Sequence, residues 1–382
     1  MKKIGKEVAW IKTKQGNPRN GEGSFARLLD GSIVHVYTEY YGNEWEDLAT
    51  ARLCAIRSTD EGETWSEPFV WLEKDENAQN YMSPSLFRLP NGELGMFFCR
   101  NEQKSTGLSV SGNQFLLDSD RYVCMPVFVY SQDEGKTWSD FRYCIDKDGY
   151  YCGINDGILV QKSGRIMMPL SAHYADRASE VIIVCSEDNG RTWARLPHVF
   201  DAPYADFSNG MEEPGLYEHE NGELWMYART IFGYQYQSRS KNNGVAWSQT
   251  VPNLYFTSPN APMRVKKVAN YTLAVFNPQG ANCMRTDYSV RGSIRRTPLV
   301  CAVSRDDGAS FQDFGGFSDG KQMIEFAKHT YLLEDCDKDT YCYPSILETR
   351  DGFLCAYYHS DGGTYTLAST KITKVYFDEL DG

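Results

Sequence analysis

Side chains able to move protons recur at one place in the sequence, directly before a short repeated motif. Glu213 and Tyr343 each precede a proline of this motif, and Asp156 precedes its glycine. A carboxylate can exchange protons with a substrate, and a tyrosine hydroxyl can act as an acid or a nucleophile. Any one of them alone would fit a strand end or a packed aromatic equally well. Their shared place makes them candidates for a common site.

The motif itself predicts a short strand followed by a tight turn. An apolar stretch comes after Pro-Ser or a related pair, and most copies end in an Asp-Gly or Asn-Gly type hairpin turn. A second apolar strand then follows, as in residues 33–37 and 353–358. The six copies are residues 23–31, 84–92, 156–164, 214–222, a degenerate 262–270, and 344–352.

A second repeat, which we call the box, alternates with the first. It reads Ser-x-(Asp/Asn)-x-Gly-x-(Thr/Ala/Ser)-(Trp/Phe) after an apolar run, and successive starts are 73, 55, 54 and 64 residues apart. We expect the Asp to bond backbone N–H groups a residue or two ahead, the Gly to take a positive φ, and the aromatic to hold the loop against the sheet. The five boxes are Ser58–Trp65, Ser131–Trp138, Ser186–Trp193, Ser240–Trp247 and Ser304–Phe311.

One unit therefore contains four antiparallel strands, which is the composition of a propeller blade. Six units predict an all-β fold, a six-bladed β-propeller of four-stranded antiparallel blades, with a single domain over residues 1–382. The last unit has no box, and we expect residues 8–11 to supply its fourth strand and so remove two exposed edges. The 25 Tyr, 19 Phe and 32 Gly suit many short strands and turns.

Composition narrows the class of protein further. A net charge of −12 without a long basic tract argues against a general nucleic-acid binder. No apolar run reaches signal-peptide or membrane-span length, so we expect no membrane partner and a cytoplasmic protein, or a secreted one if an export signal has been removed. The eleven Cys are scattered without CxxC or Cys/His metal spacing, and we expect reduced core cysteines, no metal and no cofactor.

In a propeller the inner strands line an axial channel, so two sets of side chains should meet at its mouth. One set stands before each first motif and the other ends each second strand. Both sets are strongly polar, which favours a binding pocket. The first set is Arg19 or Glu22, Ser83, Asn155 with Asp156, Glu212 with Glu213, Asn260 and Tyr343. The second set is Thr38, Cys99, Ser171, Arg229, Asn277 and His359, with Arg100 and His173 close by.

Boxed repeats on a six-unit propeller resemble the Asp boxes of the sialidase (neuraminidase) superfamily over almost the entire chain. By this resemblance Glu213 and Arg229 match a glutamate and a carboxylate-binding arginine of one blade. Arg296, eight residues before a boxed Ser, matches a second such arginine, and Tyr343 matches the family's tyrosine nucleophile. Guanidinium forks suit a sugar carboxylate, and a neutral tyrosine avoids the repulsion that an acidic nucleophile would meet there. The resemblance implies an exo-acting, retaining glycoside hydrolase that removes a terminal, acidic sugar from a carbohydrate.

Two places depart from the family pattern. The family's first blade opens with Arg-Ile-Pro, which supplies a third arginine, whereas residues 21–23 here read Gly-Glu-Gly. Arg19 and Arg100 are the candidates to replace it. The family's general acid is an Asp in a first-blade loop; Asp47 is the first choice here and Glu46 the second.

Two other functions fit the same residues. A lyase acting on uronate-containing glycans would neutralise the uronate with arginines and remove its α-proton with His173, His359 or Tyr343. The missing first arginine and the extra histidines favour this reading. A propeller that binds glycans without catalysis is the other possibility, and the combination of Glu213, Tyr343 and two arginines argues against it.

Overall fold

The structure is a computed structural model, which describes residues 1–103, 122–174, 177–202, 210–278, 296–311, 329–336, 338–360 and 367–380. Regular structure in these ranges is almost entirely β-strand, with two short 3₁₀ turns at Ala309–Phe311 and Phe377–Leu380. The all-β prediction is therefore confirmed. No helix in this part of the chain is long and apolar enough to cross a bilayer.

The described strands form six groups in chain order. The first group contains β2 (Arg19–Arg27), β3 (Ile33–Tyr40), β4 (Ala51–Ser58) and β5 (Phe69–Leu72), and the second contains β6 (Asn80–Arg88), β7 (Leu94–Gln103), β8 (Tyr122–Ser131) and β9 (Arg142–Tyr143). The third contains β10 (Tyr150–Cys152), β11 (Leu159–Val160), β12 (Ile166–His173), β13 (Glu180–Ser186) and β14 (Ala194–Arg195). The fourth contains β15 (Glu212–Glu218), β16 (Leu224–Arg229), β17 (Tyr234–Ser240) and β18 (Val251–Thr257), and the fifth contains β19 (Arg264–Val268), β20 (Tyr271–Phe276), β21 (Leu299–Ser304) and β22 (Thr330–Glu334). The sixth contains β23 (Thr340–Glu348), β24 (Gly352–Ser360), β25 (Ser369–Tyr376) and β1 (Lys6–Ile11).

Strands within a group pair antiparallel with their neighbours in sequence. The N-terminal strand β1 pairs with β25, from Lys6 opposite Lys374 to Ile11 opposite Thr370. This pairing confirms that the start of the chain completes the last group. In the third group the inner strand is interrupted, because β10 and β11 pair with opposite ends of β12. Single parallel contacts, Ala51 with Asn80 and Cys124 with Tyr150, join the first three groups into one sheet.

Inner segments of five groups carry one non-glycine residue in the left-handed backbone region. These residues are Glu22, Ser83, Asp156, Glu213 and Tyr343, with φ between 45° and 55°. In four of these five groups, namely the first, second, fourth and sixth, this residue lies where the strand register shifts, as in a β-bulge. Such backbone costs about 1–3 kcal/mol for a non-glycine residue and is concentrated at functional sites. The bulges bring side chains of different groups together, since Glu22 accepts a hydrogen bond from Ser83 and Glu213 accepts one from Tyr343.

Asp156 links four groups near the middle of the molecule. Its carboxylate accepts hydrogen bonds from Lys266 Nζ at 2.8 and 3.0 Å, from the Ile346 backbone N–H at 3.1 Å and from Ser24 Oγ at 3.4 Å. Asp156 itself belongs to the third group, and its partners belong to the fifth, sixth and first. A buried carboxylate with these partners is satisfied, so the side chain holds the inner segments together.

The boxes form closely similar turns, with one difference from expectation. The box Gly has a positive φ in all five, between 79° and 85°. In the first box, Asp60 accepts the Thr64 N–H four residues ahead at 2.9 Å, and the nearer Gly62 N–H goes to the Ser58 hydroxyl. The expected reach of the Asp was therefore too short, because the serine serves the nearer donor. The indole of Trp65 donates to the Gly62 carbonyl, which fixes the ring to its own turn and against the core.

One type of hydrogen bond recurs at every junction between a group and the tight turn of the preceding group. A side-chain oxygen of the following group accepts a backbone N–H of that turn. The acceptor–donor pairs are Glu134–Leu29 (2.8 Å), Asn189–Asn91 (3.2 Å), Glu218–Lys162 (2.8 Å), Asp307–Glu220 (2.6 Å), Glu348–Ala269 (2.7 Å) and Glu61–Arg350 (3.2 Å). Four acceptors are the residue before the box Gly, and the other two come from inner strands. The last pair joins the first group to the sixth.

Candidate active site

Tyr343, Glu213 and Arg229 form the centre of the candidate site. The Tyr343 hydroxyl donates a hydrogen bond to Glu213 Oε1. Arg229 Nη1 lies 2.6 Å from Glu213 Oε2 and 3.4 Å from the Tyr343 hydroxyl oxygen. Tyr343 and Glu213 come from the bulges of β23 and β15, and Arg229 ends β16. A phenol hydrogen-bonded to a carboxylate can lose its proton to that carboxylate as it attacks an electrophile.

A second guanidinium, from Arg296, lies beside this centre. Asn260 stands between the two arginines, since its side-chain oxygen accepts from Arg229 Nε and its backbone oxygen accepts from Arg296 Nη2 at 2.8 Å. Arg229 also pairs with Glu212 at 3.2 Å. Arg296 donates to the Cys342 sulfur at 3.1 Å, and its buried Nε has no partner among the described residues. Among the described residues, no carboxylate lies within ion-pair distance of Arg296.

Burial has the largest effect on the pKa values of Tyr343 and Glu212. It raises the pKa of Tyr343 well above its ordinary value, and the Glu213 carboxylate raises it further, whereas Arg229 and Arg296 act in the opposite direction. Burial also raises the pKa of Glu212, against the attraction of Arg229. The phenol is therefore neutral in the resting site, and any nucleophilic attack requires a base to accept its proton.

The buried second-strand residues hold the bulges of the next group in place. Ser171 Oγ accepts the Glu213 backbone N–H at 2.7 Å, and Thr38 Oγ1 accepts the Ser83 backbone N–H at 3.1 Å. Both hydroxyls are fully buried. Their polarity, which the sequence suggested was a sign of a ligand pocket, is used here to satisfy N–H groups that a bulge removes from the strand ladder.

An aromatic ring fills the space beside Gly21, where the third arginine of the family pattern would stand. A Cβ added to Gly21 would lie 1.8–2.5 Å from ring atoms of Tyr358. The Tyr358 ring also meets the Tyr343 ring edge to face, with 5.7 Å between centroids. Arg19 lies behind this ring and donates to the Tyr358 hydroxyl at 2.9 Å and to Glu22 at 2.8 Å. The sequence pattern pointed to the next residue of β24, His359, and not to Tyr358.

Asp47 reaches the same region from the loop after β3. Its Oδ1 accepts from Arg19 Nη1 at 2.6 Å, and 64% of its side chain is exposed. Asn80 fixes the loop by donating to the backbone oxygens of Asp47 and Ala49, both at 2.8 Å. Glu46 instead accepts the backbone N–H of Trp45. Of the two predicted acids, Asp47 is the one bonded to the cluster.

Three other predicted residues have their described contacts elsewhere. Arg100 forms a two-point ion pair with Asp75, at 2.8 and 3.0 Å. His173 packs edge to face on Tyr150, and His359 Nε2 lies 3.3 Å from Asp339. The described residues contain no group of three or more His, Cys, Asp or Glu arranged to hold a metal ion.

Comparisons with solved structures agree on the fold. A protein of unknown function from Dyadobacter fermentans superposes with a TM-score of 0.70 at 16% identity, covering 97% of this chain and 99% of that one. An intramolecular trans-sialidase from Ruminococcus gnavus, in complex with oseltamivir carboxylate, superposes with a TM-score of 0.66 at 15% identity, covering 98% of each chain.

Sequence comparison identifies the family. A sialidase from Paraclostridium sordellii is 27% identical over 187 residues, which is 44% of this chain and 44% of that protein, so the match spans less than half of the relative. The model of the BNR repeat-like domain matches residues 54–356. The chain belongs to the BNR repeat-like family of the sialidase superfamily.

Proposed function

We propose that this protein is an exo-acting, retaining glycoside hydrolase that removes a terminal acidic sugar from a glycan. The observation that carries the proposal is the hydrogen bond from Tyr343 to Glu213, with Arg229 and Arg296 beside it. The names of its relatives, which are sialidases, support the same reaction class. The six joined strand groups support a six-bladed propeller that forms one domain.

In the proposed reaction the guanidiniums of Arg229 and Arg296 hold the sugar carboxylate. Tyr343 attacks the anomeric carbon while Glu213 takes the phenolic proton, which gives a covalent glycosyl-enzyme. Water then releases the sugar with the same anomeric configuration. Arg229 keeps Glu213 directed at the hydroxyl through the 2.6 Å ion pair.

Asp47 is the proposed proton donor to the leaving oxygen. Its exposure allows contact with a leaving group, and its carboxylate is bonded to Arg19 in the resting site. The proposal therefore requires this contact to open as the substrate enters, so that Asp47 can reach the leaving oxygen. Arg19 would then remain bonded to Glu22 and Tyr358.

Replacing the nucleophile tests the reaction. Release from a fluorogenic α-sialoside should fall to background in Tyr343→Phe, with an unfolding midpoint close to that of the wild type. Tyr143→Phe, which removes a hydroxyl from a half-exposed ring in β9, should keep full activity. If the wild type releases no fluorophore, or if Tyr343→Phe retains activity, the proposal fails for this substrate or for this nucleophile.

A uronate-glycan lyase is the second candidate, favoured by one observation. The ring of Tyr358 fills the place of a third guanidinium, so the site holds two arginines near the nucleophile instead of three. Two guanidiniums suffice to neutralise a uronate, and Tyr343 would then remove the α-proton.

Incubation with a panel of uronate-containing glycans tests this reaction. A rise in the absorbance of unsaturated uronate, without release of the fluorophore from a sialoside, would establish it. Binding of a sugar without turnover would instead indicate a non-catalytic propeller.

A further inference from the structure

Two thiols lie together at the junction between the second and third strand groups. Cys124 is in β8 and Cys152 in β10, and these strands meet through the parallel contact of Cys124 with Tyr150. The two sulfur atoms are 3.8 Å apart. A disulfide bond is about 2.05 Å long. A displacement of about 2 Å in the three-residue strand β10 would therefore bring the sulfurs to bonding distance.

Cys152 is the less buried residue of the pair. Among the ten described cysteines only Cys152 and Cys336 are partly exposed. Contact with Cys124 and then with His173 lowers the pKa of the Cys152 thiol, although burial opposes this. Hydrogen bonding to the neighbouring thiols, together with burial, raises the pKa of Cys124. Because the thiolate is the reactive form, Cys152 should react first and Cys124 second.

We propose that Cys152 and Cys124 form a modification site at which a peroxide oxidises the two thiols to a disulfide. The Cys152 thiolate attacks one oxygen of hydrogen peroxide, the O–O bond breaks, and a sulfenic acid and water form. The Cys124 sulfur then attacks the Cys152 sulfur, the S–O bond breaks, and a second water leaves with the thiol proton. Two thiols are oxidised and one peroxide is reduced to two waters.

The modified strand is connected to the candidate active site. Cys152 lies opposite Ser171 in the strand ladder, and the Ser171 hydroxyl accepts the backbone N–H of Glu213. Three residues after Cys152, Asn155 donates to the backbone oxygen of Tyr343 at 3.3 Å. Movement of β10 would disturb both backbones, so oxidation should lower activity. This consequence rests on the proposed function, whereas the disulfide itself does not.

Peptide mapping tests the disulfide directly. The reduced full-length protein is treated with hydrogen peroxide, its free thiols are alkylated, and it is digested with trypsin without reduction. Residues 122–136 and 148–162 form tryptic peptides that contain Cys124 and Cys152 as their only cysteines. We expect these two peptides to appear joined, with a mass lower by two hydrogens than their sum. Absence of the joined species, or linkage of either peptide to residues 89–100, which contain Cys99, would overturn the proposal.

Two variants serve as controls. Cys336→Ser removes the other partly exposed thiol and should leave the cross-link unchanged. Cys124→Ser should abolish the cross-link and leave a sulfenic acid on Cys152 that dimedone labels; an unlabelled Cys152 would contradict the order of reaction. Oxidised wild type should lose several-fold in kcat/KM and recover it with dithiothreitol. If the cross-link forms and activity is unchanged, the disulfide does not disturb Glu213. If the reduced wild type is already inactive, the result instead counts against the proposed hydrolase.

Discussion

At the residue scale, Tyr358 limits how many guanidiniums can approach the Tyr343 hydroxyl. Its ring occupies the space into which a side chain at position 21 would project, and its hydroxyl is bonded to Arg19. The charge of Arg19 is shared between Glu22 and Asp47, which reduces its value for a substrate anion. In the proposed reaction, the sugar carboxylate would depend mainly on Arg296, a buried guanidinium for which no carboxylate partner is described.

Exchanging the Tyr358 ring for a guanidinium at position 21 tests whether this ring limits the number of guanidiniums that can bind an anion. In Gly21→Arg/Tyr358→Ala, the alanine vacates the space and the arginine can enter it; Gly21 is not in the left-handed region, so its backbone tolerates a side chain. A charged hydrogen bond contributes about 1.5–3 kcal/mol, so affinity for oseltamivir carboxylate should rise about 10- to 100-fold by calorimetry. The matched control is Gly21→Gln/Tyr358→Ala. Equal affinity of the two folded variants would show that position 21 does not face the anion.

The sequence brought Glu213, Arg229 and Tyr343 together as candidates but could not predict their other partners. Glu213 and Tyr343 occupy equivalent places in the fourth and sixth repeats, and Arg229 ends the second strand of the fourth, so the repeats predicted that these side chains would lie close together. Tyr358 and Arg19 depend on packing between the first and last groups, which no periodicity encodes. Cys342 was likewise unpredicted as a partner of Arg296, because a thiol inside an apolar run reads only as core.

At the scale of the strand, the bulge that aims Glu213 is supported by a hydroxyl from the neighbouring group. Ser171→Ala would leave the Glu213 N–H buried without an acceptor, so the free energy of unfolding should fall by about 1–3 kcal/mol. Because small displacements of catalytic groups are costly, kcat/KM should fall about 10- to 100-fold. Urea unfolding and steady-state kinetics measure the two effects.

Ser139 provides the matched control for this strand prediction. Its hydroxyl also accepts a backbone N–H, that of Tyr130 at 3.1 Å, but it lies at an outer turn. Ser139→Ala should therefore cost stability without lowering kcat/KM. A loss of activity in both variants that follows their loss of stability would show that Ser171 has no special role in placing Glu213.

Strand order and turns were predictable because they depend on local chemistry. Alternating apolar runs and Gly-containing turns fix the hairpins, and the N-terminal strand pairs where an unfilled edge required it. The interruption of the inner strand in the third group was not predicted. Residues 153–158, between β10 and β11, do not pair with β12, and their mixture of apolar and polar residues does not mark a break in the strand. The short strand predicted within residues 156–164 is reduced to β11, and Asn155 and Asp156 lie in the loop before it.

At the scale of the whole molecule, six backbone N–H···O hydrogen bonds and several ion pairs join neighbouring groups near their turns. The junction between the first and sixth groups matters most, because it connects distant parts of the chain. There Glu63 of the first box lies 2.8 Å from Lys374 Nζ and 2.7 Å from the Tyr376 hydroxyl, both on β25. The boxes thus bind neighbouring groups to one another, which explains their recurrence without any contact with substrate.

Acid should weaken the carboxylate hydrogen bonds of the box turns and of the connections between groups before it affects the apolar core. Hydrogen bonds from Lys374 and Tyr376 lower the pKa of Glu63 from 4.5 to about 2, and those from Thr137 lower the pKa of Asp133 from 3.8 to about 2. A carboxyl whose pKa is lower in the folded state contributes stability above its unfolded pKa and loses it as pH falls through the folded pKa. The urea midpoint should therefore decline between about pH 4.5 and about pH 2.

Glu63→Gln should lower the midpoint at neutral pH and make this decline shallower. Glu67→Gln, an exposed carboxyl of the same loop with no described ion pair, should leave the slope unchanged, and equal slopes in all three proteins would exclude Glu63 as a cause.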